Sequence, residues 1–217
     1  MEETEKQTTE ESSEKQEQII SAEKKERSMP LEHLMLIRRK KGYSFFKRIF
    51  DFIVSAAGLV VSVLPMIVFA ILLKKETKGK VFYKEERLGR YGTPFKYVKF
   101  RTSTSEDGEP FGKISAFLIR TRLENLPQLW AIFRGKMSFV GPEAASRTTY
   151  EEYEKSMPGF SQRLKAKPGI TGFSQVNCNQ TSDYEKAVFD IEYLKKRNVF
   201  VDCKILFKAI GRLFSRK

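Results

Sequence analysis

From Phe52 to Leu73 the chain reads FIVSAAGLVVSVLPMIVFAILL, 22 residues without a charged side chain. At ~1.5 Å of rise per helical residue this run can cross the hydrocarbon core of a bilayer, so a membrane segment constrains every fold open to the chain. Pro65 sits in the middle of the run, where it removes a helical hydrogen bond and disfavours helical geometry at Leu64. A helix-break-helix is therefore expected over residues 49–75. Arg38, Arg39, Lys40, Lys41, Lys47 and Arg48 precede the run, and Lys74, Lys75, Lys78 and Lys80 follow it. Basic residues mark cytoplasmic ends, so both flanks favour the same membrane face. A re-entrant hairpin satisfies both flanks, and a kinked span is the alternative.

The 217 residues allow one ordinary domain plus appendages. The formal charge is +13, but residues 1–30 hold nine Glu against five Lys and Arg, a local −4 that leaves +17 for the rest. Such a basic body calls for nucleic acid, anionic lipid or phosphorylated substrates as company. Nucleic acid is discounted, because the aromatic-basic interleaving and motifs of such binders are missing. Cys178 and Cys203 lack CxxC spacing and His33 is the single histidine, which predicts a reducing compartment and no structural metal. The first long apolar run starts only after about fifty largely polar or charged residues, so no N-terminal secretion signal is expected.

Residues 1–30 read as a disordered acidic tail and 31–48 as a basic interfacial segment. A globular core follows over 76–199. Lys80 to Tyr83 and Phe95 to Phe100 read as strands of a hairpin across a glycine-containing turn. Residues 112–134 read as helix in two pieces divided near Pro127, and 149–157 and 183–196 read as further helices. The last segment, 200–217, spaces Val201, Ile205, Leu206, Ile210 and Leu213 as a basic amphipathic helix, for which the membrane surface is favoured over docking on protein. The expected class is α+β: a mostly helical small domain with a short β-hairpin, a Pro-broken re-entrant membrane helix and peripheral amphipathic helices.

Several blocks occur in order: Lys47-Arg48-Ile49-Phe50-Asp51, the Pro-broken apolar run, Phe82-x-Lys84-x-Glu86-Arg87-x-Gly89, Lys99-Phe100-Arg101-Thr102 and Leu126-Pro127-Gln128-Leu129. Met137 to Pro142, Pro168 to Asn177, Asp190-x-x-Tyr193 and Asp202-x-Lys204-Ile205 continue the series. Over residues 45–210 the chain resembles the bacterial sugar transferase family, the monotopic phosphoglycosyl transferases. The resemblance implies transfer of a sugar-1-phosphate from a UDP-sugar to polyprenyl phosphate at the cytoplasmic face of a bacterial inner or plasma membrane. UMP leaves, and a covalent enzyme-phosphosugar intermediate is implied. That chemistry needs clustered cations for two phosphate-bearing substrates. Lys99 and Arg101, alternating with apolar neighbours, meet the need together with Arg87, Arg120 and Arg122. Gln128, Pro142, Gln175 and Asp190 join the implied substrate-binding set.

The family places an Asp nucleophile and a Mg²⁺-holding Glu just before Leu-Pro-Gln, and here those positions read Glu124 and Asn125. A Glu moves the carboxylate about an ångström outward, a displacement that can cost on the order of 10²-fold. An amide oxygen is a poorer ligand for a hard cation than a carboxylate, so Mg²⁺ binding is expected to weaken. Glu143-Ala144 replaces the usual Arg-Pro, and Cys178-Asn179 replaces Gly-Arg. This pattern favours a non-catalytic member acting as partner or regulator of an active transferase or another glycan-assembly protein. The competing expectation is an active Mg²⁺-dependent enzyme in which Glu124 attacks and Glu143 or Asp107 supplies the missing ligand.

Overall fold

The computed structural model describes residues 41–104, 108–157, 159–177 and 183–215. The acidic tail, the first part of the interfacial segment, Asp107 and Cys178-Asn179 lie outside these residues. The apolar run forms the greater part of one helix, α1 (Lys41–Thr77), which continues through Pro65. The expected break between two helices is thus replaced by a single element. One missing amide does not outweigh the backbone bonds on either side, and membrane helices tolerate interior prolines where local adjustment and neighbouring groups satisfy the freed carbonyl. Only 11% of its most apolar window is buried. The core of a soluble domain does not explain such a helix.

One stripe of α1 faces the rest of the chain throughout: Asp51, Ser55, Ser62 and Leu73 are buried at multiples of roughly one helical turn. Gly58 belongs to this stripe, with the Leu129 side chain 3.3 Å from where a Cβ would stand. The opposite face exposes Ile53, Val60, Val61, Leu64, Ile67 and Ile71. Both ends of α1 are tied down by polar caps. Arg48 donates from Nη1 to the Ile132 carbonyl at 2.9 Å and from Nη2 to that of Phe133 at 2.7 Å. At the far end the Glu76 carboxylate accepts from the Ile114 and Ser115 amides, each at 2.9 Å.

Strands β1 (Phe82–Leu88) and β2 (Pro94–Phe100) pair antiparallel from Phe82 opposite Phe100 to Leu88 opposite Pro94. The hairpin expected from the sequence is present. Its turn places Tyr91 and Gly92 at φ of 58° and 73°. Helix α2 (Lys113–Thr121), a 3₁₀ segment (Leu123–Gln128) and α3 (Leu129–Phe133) follow. The stretch divides at Arg122, which adopts the left-handed conformation at φ 59°, and again after Gln128, close to the division expected near Pro127. Pro127 is accommodated inside the 3₁₀ segment. Leu73, Phe100 and Leu118 are fully buried together and join α1, β2 and α2. Burying a side chain of this size contributes about 1.5–3 kcal/mol.

Strands β3 (Ser138–Val140) and β4 (Gly169–Thr171) pair in parallel, a contact the sequence reading did not foresee. Glycine is required beside it, because a Cβ on Gly141 would collide with the Lys167 carbonyl and one on Gly169 with the Gly141 amide. Helix α4 (Arg147–Ser156) is capped by the Ser146 hydroxyl, which accepts from the Thr149 amide. Helices α5 (Phe173–Asn177), α6 (Asp183–Lys196) and α7 (Val199–Ser215) complete the order. The C-terminal helix does more than lie on a surface. Ile205 is buried against Tyr193 and Leu194, and Arg212 donates to the Gln175 carbonyl. Its other side exposes Phe200, Phe207 and Ile210.

Candidate functional site

The tight 3₁₀ turn after Arg122 places Glu124, Asn125 and Gln128 in a row. Gln128 Nε2 donates to Asn125 Oδ1 at 2.6 Å, and Asn125 Nδ2 donates to Glu124 Oε1 at 3.4 Å. The guanidinium of Arg122 lies 3.6 Å from the same Glu124 oxygen. Glu124 Oε2 is buried and finds no hydrogen-bond partner among the described residues. β2 packs across this segment and brings Lys99 into electrostatic reach of Glu124. Arg122 holds a backbone conformation that costs a non-glycine residue about 1–3 kcal/mol, strain of the kind that clusters at functional sites.

Burial pushes the Glu124 carboxyl above the ordinary glutamate range, with Arg122 and then Lys99 opposing the rise. A raised folded-state value means that the native chain binds more protons than the unfolded one. Stability therefore falls as pH rises from the ordinary glutamate range through the raised value. Glu124→Gln is expected to remove this loss, so its unfolding midpoint should exceed that of the unaltered chain at pH 7.5 and match it more nearly at pH 4. Equal gains at both pH values would show that the carboxyl is not held in a desolvated state.

The other sequence-predicted residues divide between this row and places elsewhere. Gln128 is buried in the row, and Arg101 stacks over Phe111 at 5.1 Å while lining an open cleft with Lys80, Phe82, Tyr83 and Lys84. Arg120 is exposed at the end of α2. Arg87 is buried away from the row, donating to the Ala144 carbonyl at 2.8 Å and to Glu85 at 2.6 Å, over the Tyr97 ring. The Pro142 carbonyl accepts from the Gly169 amide, and the Gln175 side chain is exposed. Asp190 is fully buried, its carboxylate taken by Arg163 and Ser174. Glu143 is exposed and acts electrostatically on Arg163 and Tyr150, not on Glu124.

The donor set at Glu124 offers the Mg²⁺ implied for this chemistry one carboxylate, whose Oε2 has no partner among the described residues, beside an amide oxygen already engaged by Gln128. A hard divalent cation takes several oxygen ligands. Here one carboxylate oxygen faces an amide NH₂ and a guanidinium, while the Asn125 oxygen is engaged by Gln128.

Sequence reasoning missed several residues that organise the site. Glu76 and Arg48 clamp the helices on either side of the Glu124 segment, α2 and α3, onto α1. Arg163 neutralises Asp190, and Tyr193 donates to Asp202 Oδ1 at 2.8 Å while Tyr43 donates to Oδ2 at 2.6 Å. Lys47-Arg48 and Asp202 were visible inside sequence blocks. Tyr193 stood in another block, but that Lys47, Tyr193 and Tyr43 meet at Asp202 was not visible.

These features define a small α+β domain mounted on one long apolar helix, with a carboxylate-amide row set among cations at its junction with that helix. The chain matches the bacterial sugar transferase family over residues 42–216 and belongs to it. It is 32% identical over 189 residues to the UDP-glucose:undecaprenyl-phosphate glucose-1-phosphate transferase of Klebsiella pneumoniae, covering 79% of this chain and 41% of that protein. It is 33% identical over 204 residues to the UDP-galactose-lipid carrier transferase of Erwinia amylovora, covering 82% of this chain and 42% of the relative. An Aeromonas hydrophila UDP-N-acetylgalactosamine-undecaprenyl-phosphate N-acetylgalactosaminephosphotransferase is 27% identical over 188 residues, 80% of this chain and 44% of that one. The chain thus spans about two-fifths of the length of these relatives. The family and the apolar helix together make it a membrane-associated protein.

Proposed function

We propose that this chain is a membrane-mounted phosphoglycosyl transferase-family protein of bacterial glycan assembly that does not itself transfer phosphosugar. It acts instead beside an active transferase or another glycan-assembly protein. The observation that carries this reading is the Gln128-Asn125-Glu124 hydrogen-bond row, which puts an engaged amide where the cation ligand of phosphoryl transfer would stand and ties one oxygen of the displaced Glu124 carboxylate to it. The retained cations Lys99, Arg101 and Arg122 support a site that still receives phosphate-bearing ligands such as a UDP-sugar or polyprenyl phosphate.

The test is UMP release from a panel of UDP-sugars in purified membranes supplied with polyprenyl phosphate and Mg²⁺. The unaltered chain is expected to stay at background, and an intact transferase of the same organism to co-purify with it. Release that disappears in Glu124→Ala would establish the opposite reading, an active UDP-sugar:polyprenyl-phosphate sugar-1-phosphate transferase.

A re-entrant arrangement of α1, turning by a bend at Pro65 within one helical element rather than as two separate helices, with the domain on the cytoplasmic face, is supported by the caps at its two ends. Arg48 and Glu76 each hold the same small domain, and a bilayer core of about 30 Å cannot separate them while both caps persist. Single cysteines placed at positions 41 and 78 are expected to react with an impermeant thiol reagent from the same side. Labelling from opposite sides would replace re-entry by a span.

A further inference from the structure

We propose that the basic cleft beside the first turns of α1 binds a phosphate monoester group, at a site sharing no residue with the Glu124 row. The proposal goes beyond the reading of Glu124 and stands whether or not that residue reacts. Five cations converge on the cleft from separate parts of the chain: Lys47 and Arg48 from α1, Arg90 from the hairpin turn, Lys167 from the loop before β4, and Arg197 beyond α6. The cleft is small and opens to solvent. Asp51 is the carboxylate in its lining, and it already accepts from the Phe139 amide at 3.2 Å.

Lys47 is spent on Asp202 at 2.5 Å, and Arg48 is held by two neutral carbonyls. Arg90 reaches the Tyr91 hydroxyl at 2.9 Å. The half-buried Lys167 ammonium has no ion pair among the described residues. Burial, then Arg48, with Arg90 and Lys47 adding, holds it below the ordinary lysine range against the pull of Asp51. Exposed cations would swing apart into water. These are fixed by hydrogen bonds and packing, and a multiply charged tetrahedral anion with several acceptor oxygens is the ligand that relieves them.

The cleft's place in the fold points to a source for the phosphate. The turns of α1 that supply Lys47, Arg48 and Asp51 to the cleft expose Phe45, Phe46, Ile49 and Phe50 on their other side. An anion carried by a lipid would reach the cleft at this depth with its chains beside those rings, where basic side chains and apolar surface adjoin.

The test uses the full chain in nonionic detergent micelles, with short-chain phosphatidic acid as the phosphomonoester, phosphatidylglycerol of the same chains as the phosphodiester, and inorganic phosphate as the soluble form. Phosphatidic acid is expected to bind at least tenfold more tightly than phosphatidylglycerol by calorimetry. Lys167→Met and Arg90→Gln should each weaken it about tenfold, while Lys84→Met, in the other cleft, leaves it unchanged. Arg90 lies on a surface turn, so its variant reports on the cleft even if Lys167→Met folds poorly. Competition by millimolar inorganic phosphate identifies a soluble source, and failure to compete identifies the lipid; both results uphold the site. Unchanged binding in Arg90→Gln, or equal weakening by Lys84→Met, overturns it, because the affinity would then belong to a general basic surface.

Discussion

Replacing Arg163 by Met is expected to lower the unfolding midpoint by roughly 6–20 °C. Asp190 is fully buried and receives Arg163 Nε at 2.9 Å, Nη2 at 2.5 Å and the Ser174 hydroxyl at 2.8 Å. Removing the guanidinium strands a carboxylate in the core, and breaking a buried pair in this way costs about 3–5 kcal/mol. A chain of this size loses about 2–4 °C per kcal/mol. The double variant Arg163→Met/Asp190→Leu removes both charges and should recover most of the loss. Thermal unfolding in detergent checks both, and a single variant that melts within a degree of the unaltered chain would show that water already screens the pair. The pair also bears on Asp190 itself. It ties α6 to the 3₁₀ segment Phe160–Lys165 and to α5. Tyr193, three residues on, is likewise buried and bound to Asp202 and Tyr43.

The parts legible in the sequence were those with local causes. Asp183 to Lys196 was read with its observed bounds, and the hairpin followed from two strand-like runs around a glycine-containing turn. Glu124, Asn125 and Gln128 lie within five residues of one another, so a single tight turn was enough to bring them together. What escaped was set by contacts between distant segments. Strands β3 and β4 have three residues each, too few for a periodic signal, and exist because Gly141 and Gly169 let two backbones approach closely. Lys167 reads as an ordinary surface cation, and its crowding by Arg48 and Arg90 depends on how α1 and the hairpin turn pack. Pro65 shows the opposite error. A strong local signal for a break yielded to the backbone bonds and packing on both sides of it.

Glu124→Asp combined with Asn125→Glu is expected to raise UMP release from a UDP-sugar by roughly 10²-fold or more over the unaltered chain, given polyprenyl phosphate and Mg²⁺. Shortening residue 124 by one methylene draws its carboxylate back by about an ångström, and the exchange of Asn125 removes the Nδ2 that bonds it. A Glu at 125 then replaces the amide that Gln128 engages and supplies a second carboxylate for the cation. Lys99 and Arg122 already bear on the carboxyl at position 124. Glu143 need not be reversed, since its field falls on Arg163 and Tyr150. Each single change should accomplish much less, because Glu124→Asp leaves no second ligand and Asn125→Glu leaves the nucleophile displaced. Binding of Mn²⁺ as a spectroscopic stand-in should separate the two effects, appearing with Asn125→Glu and only weakly with Glu124→Asp. If the double variant binds the ion and still releases no UMP, the defect lies beyond residues 124 and 125, in how the remaining cations hold the nucleotide.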